Sequence, residues 1–143
     1  MNDTITKFGY PATLIHDYDH WMVLLRPAQV TLGSLIVAAK SDAQDFGALS
    51  ADHFSELKVV TGDVSAALAS LVSYQKLNWL MLMMVDPHVH FHLIPRYEGT
   101  REWEGQAFED KSWPGPPVLS DAIKLSDNQI SGMATWLKSG FPD

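Results

Sequence analysis

Asp86-Pro87-His88-Val89-His90-Phe91-His92-Leu93-Ile94-Pro95-Arg96 places three histidines at every second position, with only apolar residues between them. A β-strand sends alternate side chains to opposite faces, so His88, His90 and His92 are expected to line one face while Val89, Phe91 and Leu93 enter the core. An ordinary solvent face of a sheet would carry Thr, Lys, Glu or Ser rather than three imidazoles in register. Imidazole nitrogens bind metals, relay protons or attack electrophiles near neutral pH. Two chemistries therefore stand open from the residues themselves. His-x-His on a strand is a common metal-ligand pair, and a third His could complete a zinc-type site. A neutral imidazole can also act as a nucleophile at phosphorus while its neighbours contact phosphate oxygens or the leaving group. The nearest carboxylate, Asp86, precedes a proline at a tight turn, and there is no cysteine to add to a metal site.

The elements on either side place this strand in a sheet. Residues 12–16 and 20–26 read as short strands separated by the polar turn Asp17-Tyr18-Asp19, and a third strand, 31–39, follows the break at Pro27-Ala28-Gln29. Ser50 is a fitting N-cap for a long helix in which Phe54, Leu57, Val60, Val64, Leu68 and Leu71 recur at spacings of three and four. Gly62 inside it predicts a bend or a close backbone contact. Residues 77–85 are apolar on both faces except for Asn78, which fits a central strand covered on two sides, with the triad strand returning antiparallel to it. The expected fold is α+β: an antiparallel meander of about five strands, one long helix and a short C-terminal helix over 126–137. One domain, 1–143, is expected, with its core at about 10–97 and a loop and helix at 98–143. Residues 97–119, rich in Gly, Pro, Glu and Trp, read as a long loop that packs on the sheet or on a partner subunit, or that brings Trp103 or Phe108 beside the triad as a base-stacking lid.

Composition narrows the function classes. Hydrophobic residues make up 46% of a 143-residue chain, enough for one core, and the formal net charge of −7 with no basic run argues against a nucleic-acid polymer as partner. Without cysteine there are no disulfides. The N-terminus lacks the order of a signal peptide and no apolar run is long enough to span a membrane, so a cytoplasmic protein without membrane attachment is the expectation. Among other polar residues, His16 and His20 read as surface groups and His53 as a solvent position in the first helical turn. Asn78 could orient a triad histidine or bond to backbone. Arg96 could meet an anion or pair with a nearby acid.

The run His88 to Ile94 resembles the histidine-triad (HIT) signature, His-φ-His-φ-His-φ-φ with φ apolar, and the following Pro95-Arg96 is frequent in that family. Upstream, Trp21 to Arg26, Pro27 and Gly33-Ser34-Leu35-Ile36-Val37 resemble the hairpin that precedes the long helix of HIT proteins, so the likeness covers roughly residues 10 to 97. The resemblance implies a nucleotide hydrolase or nucleotidyl transferase that takes a small nucleoside phosphate derivative, such as a dinucleoside polyphosphate or nucleoside phosphoramidate. His90 would be the nucleophile that forms a covalent nucleotidyl-histidine, with His88 and His92 supporting the phosphate and the departing group. No metal or other cofactor is implied, and a homodimer is. Arg96, Asn78 and Trp103 are the candidates for contacting substrate. The chain departs from the family's pattern in three places: the Gly-rich phosphate loop is shortened to Asp86-Pro87, Leu24 stands where a ribose-binding Asp or Asn is usual, and Gly33-Ser34 replaces Gly-His. The alternatives are a metal-binding protein built on the same three histidines and a HIT scaffold that binds nucleotides without turnover.

Overall fold

A computed structural model describes all residues, 1–143. In chain order its elements are α1 (Asp3–Lys7), β1 (Leu14–Asp17), β2 (Trp21–Leu25), β3 (Ala28–Gln29), β4 (Leu35–Ala39), α2 (Ala51–Val72), β5 (Lys76–Leu80), β6 (His90–Arg96), β7 (Thr100–Trp103), β8 (Gln106–Glu109), β9 (Ile123–Lys124) and α3 (Asp127–Lys138). Five antiparallel strands form one sheet in the order β1-β2-β4-β6-β5. The α+β class, the long helix and the C-terminal helix are as expected. The order leaves a strict meander at one point, because α2 carries the chain across the sheet so that β5 forms the edge and β6 returns between β5 and β4.

One face of the sheet buries the main core. Trp21, Val23, Leu25, Leu35, Val37, Ala39 and Leu93 point toward Val60, Val64, Ala67 and Leu68 of α2 and Met133 and Leu137 of α3, all within one cluster. Ser50 caps α2 through its side chain, which accepts from the His53 amide. The apolar stripe is rotated relative to the expectation: Ala67 joins the core while Phe54 stays exposed at its edge beside Phe46. Gly62 lies on the exposed side with no atom within 4 Å of where a Cβ would be, and α2 runs unbroken through it, so neither the bend nor the close contact exists. His53 is buried rather than solvent-facing: its ring packs on Trp21 and His20, and the Trp21 indole donates to its carbonyl at 2.7 Å. His16 and His20 are half-buried, His16 lying between Tyr18 and Phe141.

The opposite face carries a second, smaller cluster of Ile5, Met22, Leu24, Ile36 and Ala38 under α1 and Phe8. Helix α1 has no counterpart in the sequence reading. Five residues are too few to show a period; the helix forms because Asn2 caps it, its side chain accepting from the Ile5 amide at 2.9 Å, and because Ile5 is fully buried on the sheet.

Two other expectations change. Residues 77–85 are not a central strand: β5 ends at Leu80 on the sheet edge, and Leu82, Met84 and Val85 are more than half exposed in the loop that leads to the triad. Residues 97–119 contain an ordered hairpin, β7 with β8, closed by Glu104 and Gly105, both at positive φ (47° and 78°), as a two-residue turn matched to strand twist requires.

Candidate active site

Strand β6 begins at His90, and its neighbours β4 and β5 fix the register: Ala38 faces His90, while Ile36 and Leu80 flank His92. The alternation expected of this strand holds. Val89 and Leu93 are buried toward α2, Phe91 packs at the edge of the same core, and His90 and His92 lie on the face covered by α1. His88 precedes the strand. Its Nδ1 meets the Thr4 hydroxyl at 3.0 Å, so α1 supplies a partner for the first histidine. Phe8 follows α1 and sets its ring against both other histidines, 5.6 Å from His90 and 5.9 Å from His92 between centroids.

The hydrogen bonds fix the tautomers of two rings. His90 Nδ1 lies 2.7 Å from the carbonyl oxygen of His88. A carbonyl can only accept, so Nδ1 carries the proton and Nε2 of the neutral ring holds a free lone pair. His92 Nδ1 lies 3.3 Å from Arg26 Nε. A guanidinium can only donate, so in His92 the neutral ring carries its proton on Nε2. The two rings are 5.1 Å apart, edge to face. Burial, then the charge of Arg26, then His90, lowers the His92 pKa from 6.5 to about 4, which keeps this imidazole neutral at physiological pH.

A cavity of about 220 Å³ opens on these rings, lined by Arg26, His90, His92, Asp86, residues 82–85 and Leu119. Leu82, Met83, Met84 and Val85 thus wall the site instead of filling a strand, which is why the apolar run outlasts β5. Asp86, the acid of this wall, is held by Lys7 at 2.6 Å. His90 is only 1% exposed.

The other candidates for substrate contact fall elsewhere. Arg96 is on the triad face of β6 but four residues beyond His92, about 13 Å along the strand. It is 3% exposed and meets both Asp110 oxygens, Nε at 2.8 Å and Nη2 at 3.1 Å, and donates to Asn78 Oδ1 at 2.8 Å. Its charge is answered inside the fold, and Asn78 orients Arg96 rather than a histidine. Trp103 is buried on the helix side of the sheet against Trp136 and Gly132, and Phe108 joins the same core, the packing on the sheet that was one of the two expectations for this segment. The downstream segment reaches the cavity through Leu119 instead.

Arg26 is the residue that sequence reasoning missed. It follows β2 directly, and its backbone is seated by fully buried Gln29, whose side-chain amide donates to the Arg26 carbonyl at 2.7 Å and to that of Ser34 at 2.9 Å while accepting from Gly33 and Ser34. Gly33, at φ 89°, lets this hairpin pass close to Leu68 and Pro95. Leu24, by contrast, is fully buried under α1 and faces no cavity. The signal in the sequence was a lone charge ending the apolar run Trp21 to Leu25. No three His, Cys, Asp or Glu side chains converge on one point, and the cation of Arg26 stands against one of the three rings.

No protein-family model matches the chain, and no curated protein does. Solved structures do. A histidine triad protein from Sinorhizobium meliloti superposes with a TM-score of 0.75 over 99% of this chain and 96% of its own, at 20% identity. The Plasmodium falciparum diadenosine triphosphate hydrolase superposes with a TM-score of 0.66 over 90% of this chain and 76% of its own, at 11% identity. A zinc-bound histidine triad family protein from Mycobacterium smegmatis gives 0.57 over 94% and 92%, at 18% identity. The fold of the chain is the histidine triad fold.

Proposed function

We propose that this protein is a nucleotide hydrolase or nucleotidyl transferase, and that His90 attacks the α-phosphorus of a small nucleoside phosphate derivative. The observation that carries the reading is the hydrogen bond from His90 Nδ1 to the His88 carbonyl, which leaves a free lone pair on Nε2 of a ring that lines the cavity. Its bond to phosphorus forms as the bond to the leaving group breaks, giving a nucleotidyl-histidine; water or another acceptor then attacks phosphorus and breaks the P–N bond. His92, neutral and protonated on Nε2, donates to a phosphoryl or leaving-group oxygen. His88, linked to Thr4, completes the set from the start of the strand. The diadenosine triphosphate hydrolase among the structural neighbours supports this substrate class.

A nucleotide binder without turnover is favoured by one observation, the 1% exposure of His90 beneath Phe8 and the 82–86 segment. Both readings take one HIT-like domain, and we propose that it pairs as a homodimer, for which the unpaired sheet edge of β5 offers a surface.

The deciding experiment incubates metal-stripped protein and its His90→Ala variant with adenosine phosphoramidate and with diadenosine tetraphosphate, following nucleotide release and the mass of the quenched protein. Release, or a nucleotidyl adduct, is expected in the wild type and absent in the variant. Nucleotide binding with neither release nor adduct in the wild type would convert the reading to a binder.

A further inference from the structure

Two arginines lie on the triad side of the sheet, and the fold treats them differently. Arg96 has the carboxylate of Asp110 on two of its nitrogens. Arg26 has no carboxylate: the ion pairs of the protein are Lys7–Asp86, Lys40–Asp17, Arg96–Asp110 and Lys111–Asp121. Its Nε donates to His92 Nδ1 at 3.3 Å and its Nη1 to the Ala28 carbonyl at 2.6 Å, whereas Nη2 donates to nothing in the protein. Nη2 is also not sealed away, since the one fully buried polar side-chain atom without a partner is His53 Nε2. The guanidinium therefore lines the His90 and His92 cavity with part of its donor fork unused. The acid that shares this cavity, Asp86, is already spent on Lys7.

A half-buried cation without a counter-charge is unfavourable in the unliganded protein, because burial removes hydration that no carboxylate replaces. Burial accordingly lowers the affinity of this guanidinium for its proton. In a chain of net charge −7 an acidic partner would have been easy to supply. Gln29 nevertheless holds the Arg26 backbone in place from a fully buried position. A planar fork of donors fits phosphate oxygens better than any neutral group, and it does so most strongly where water is excluded.

We propose that Arg26 is the specificity-determining cation of this site: it binds the negative charge carried by the phosphate chain beyond the attacked phosphorus. Nucleotides that lose a charged phosphate group are then preferred over those that lose a neutral one. The inference rests on the proposed role of His90 for its kinetic consequence, but not for its binding consequence. Arg26 would act twice, holding His92 in the Nε2–H tautomer through Nε and reading the leaving group through Nη2.

The test compares wild type, Arg26→Gln and Arg26→Lys in kcat/KM for diadenosine tetraphosphate and for adenosine phosphoramidate. In parallel, calorimetry measures ADP and AMP binding to His90→Ala with and without Arg26→Gln. Loss of a charge-assisted contact predicts a roughly tenfold to hundredfold fall in the ratio of the two kcat/KM values for Arg26→Gln. The Lys variant, which keeps the charge, should recover part of that ratio. His90→Ala should bind ADP more tightly than AMP, and the added Arg26→Gln should abolish that preference. Equal losses on both substrates with the ADP preference intact would reduce Arg26 to a positioning residue for His92 and overturn the proposal, as would an absence of ADP preference in His90→Ala. Silence of the wild type on both substrates would sink the reading of His90, while the ADP and AMP comparison would still decide Arg26. Urea midpoints of the variants check that each is folded.

Discussion

At the scale of the residue, direction is imposed by partners that can play only one role. The His88 carbonyl must accept and Arg26 must donate, so His90 offers a lone pair at Nε2 and His92 a proton at the same atom. Two identical side chains two positions apart thus acquire complementary chemistry from their surroundings. For His92 the same surroundings set a pH dependence. Its pKa is about 4 in the folded protein against 6.5 for the free side chain, so the unfolded chain takes up a proton where the folded one does not. The stability associated with neutral His92 is complete above about pH 6.5 and is lost as pH falls toward 4. In NMR titration the His92 imidazole resonances are expected to hold their neutral shifts down to about pH 5 and move near 4. Movement centred near 6.5 would show the ring solvated and free of Arg26. The histidine spacing was readable because period two belongs to a strand and imidazoles are rare on its outer face. Arg26 was not, since its pairing with His92 joins positions 66 residues apart.

At the scale of the element, local signals were read where a period or a cap expressed them. The Ser50 cap and the three-four spacing gave α2, and Ser126 with Gln129 forms a reciprocal capping box at the start of α3. Where a segment's chemistry served the site, the same rules misread it. Residues 82–85 look like strand because they are apolar, yet they wall the cavity, and the exposure of Leu82, Met84 and Val85 becomes intelligible only once the triad lies behind them. The β7–β8 hairpin was hidden because Glu104-Gly105 is a less usual turn pair than Asn-Gly, although Trp103 and Phe108 alternate inward on either side of it. Gly62 offers a test of α2 itself. It is exposed, helical and free of any neighbour within 4 Å of a new Cβ. Gly62→Ala should therefore stabilise the protein by roughly 0.5–1 kcal/mol, by restricting the unfolded chain and raising helix propensity. Chemical denaturation would show a higher midpoint at unchanged slope, and destabilisation would mean that α2 needs flexibility at this point.

At the scale of the whole molecule, the last third of the chain is fastened to the sheet at a few places. β9 pairs with β3, the Leu125 amide donates to the Pro27 carbonyl at 3.0 Å, and α3 lies over β1 and β2. The strongest fastening is ionic. Arg96 and Asp110 are each 3% exposed at the side chain, Asp110 also accepts from the Tyr97 amide at 3.0 Å, and Ser112 accepts from Arg96 at 3.2 Å. Removing the acid alone leaves a guanidinium buried without a counter-charge, so Asp110→Ala should cost about 3–5 kcal/mol, far more than an exposed ion pair would. For a chain of this length that is a fall of roughly 10 °C or more in Tm. The charge-free pair Arg96→Leu with Asp110→Leu should recover much of the loss, because it removes the desolvated cation along with its partner. Differential scanning calorimetry of the two variants separates the possibilities. A double variant as unstable as Asp110→Ala would show that the bonds to Asn78, Ser112 and the Tyr97 amide carry the docking, whereas a small loss in Asp110→Ala would show that solvent reaches Arg96. Below their melting temperatures both variants are expected to match the wild type in the nucleotide-release and adduct assays. The clamp and the triad share a strand but no partner, and the arginine that stands against a triad histidine is Arg26.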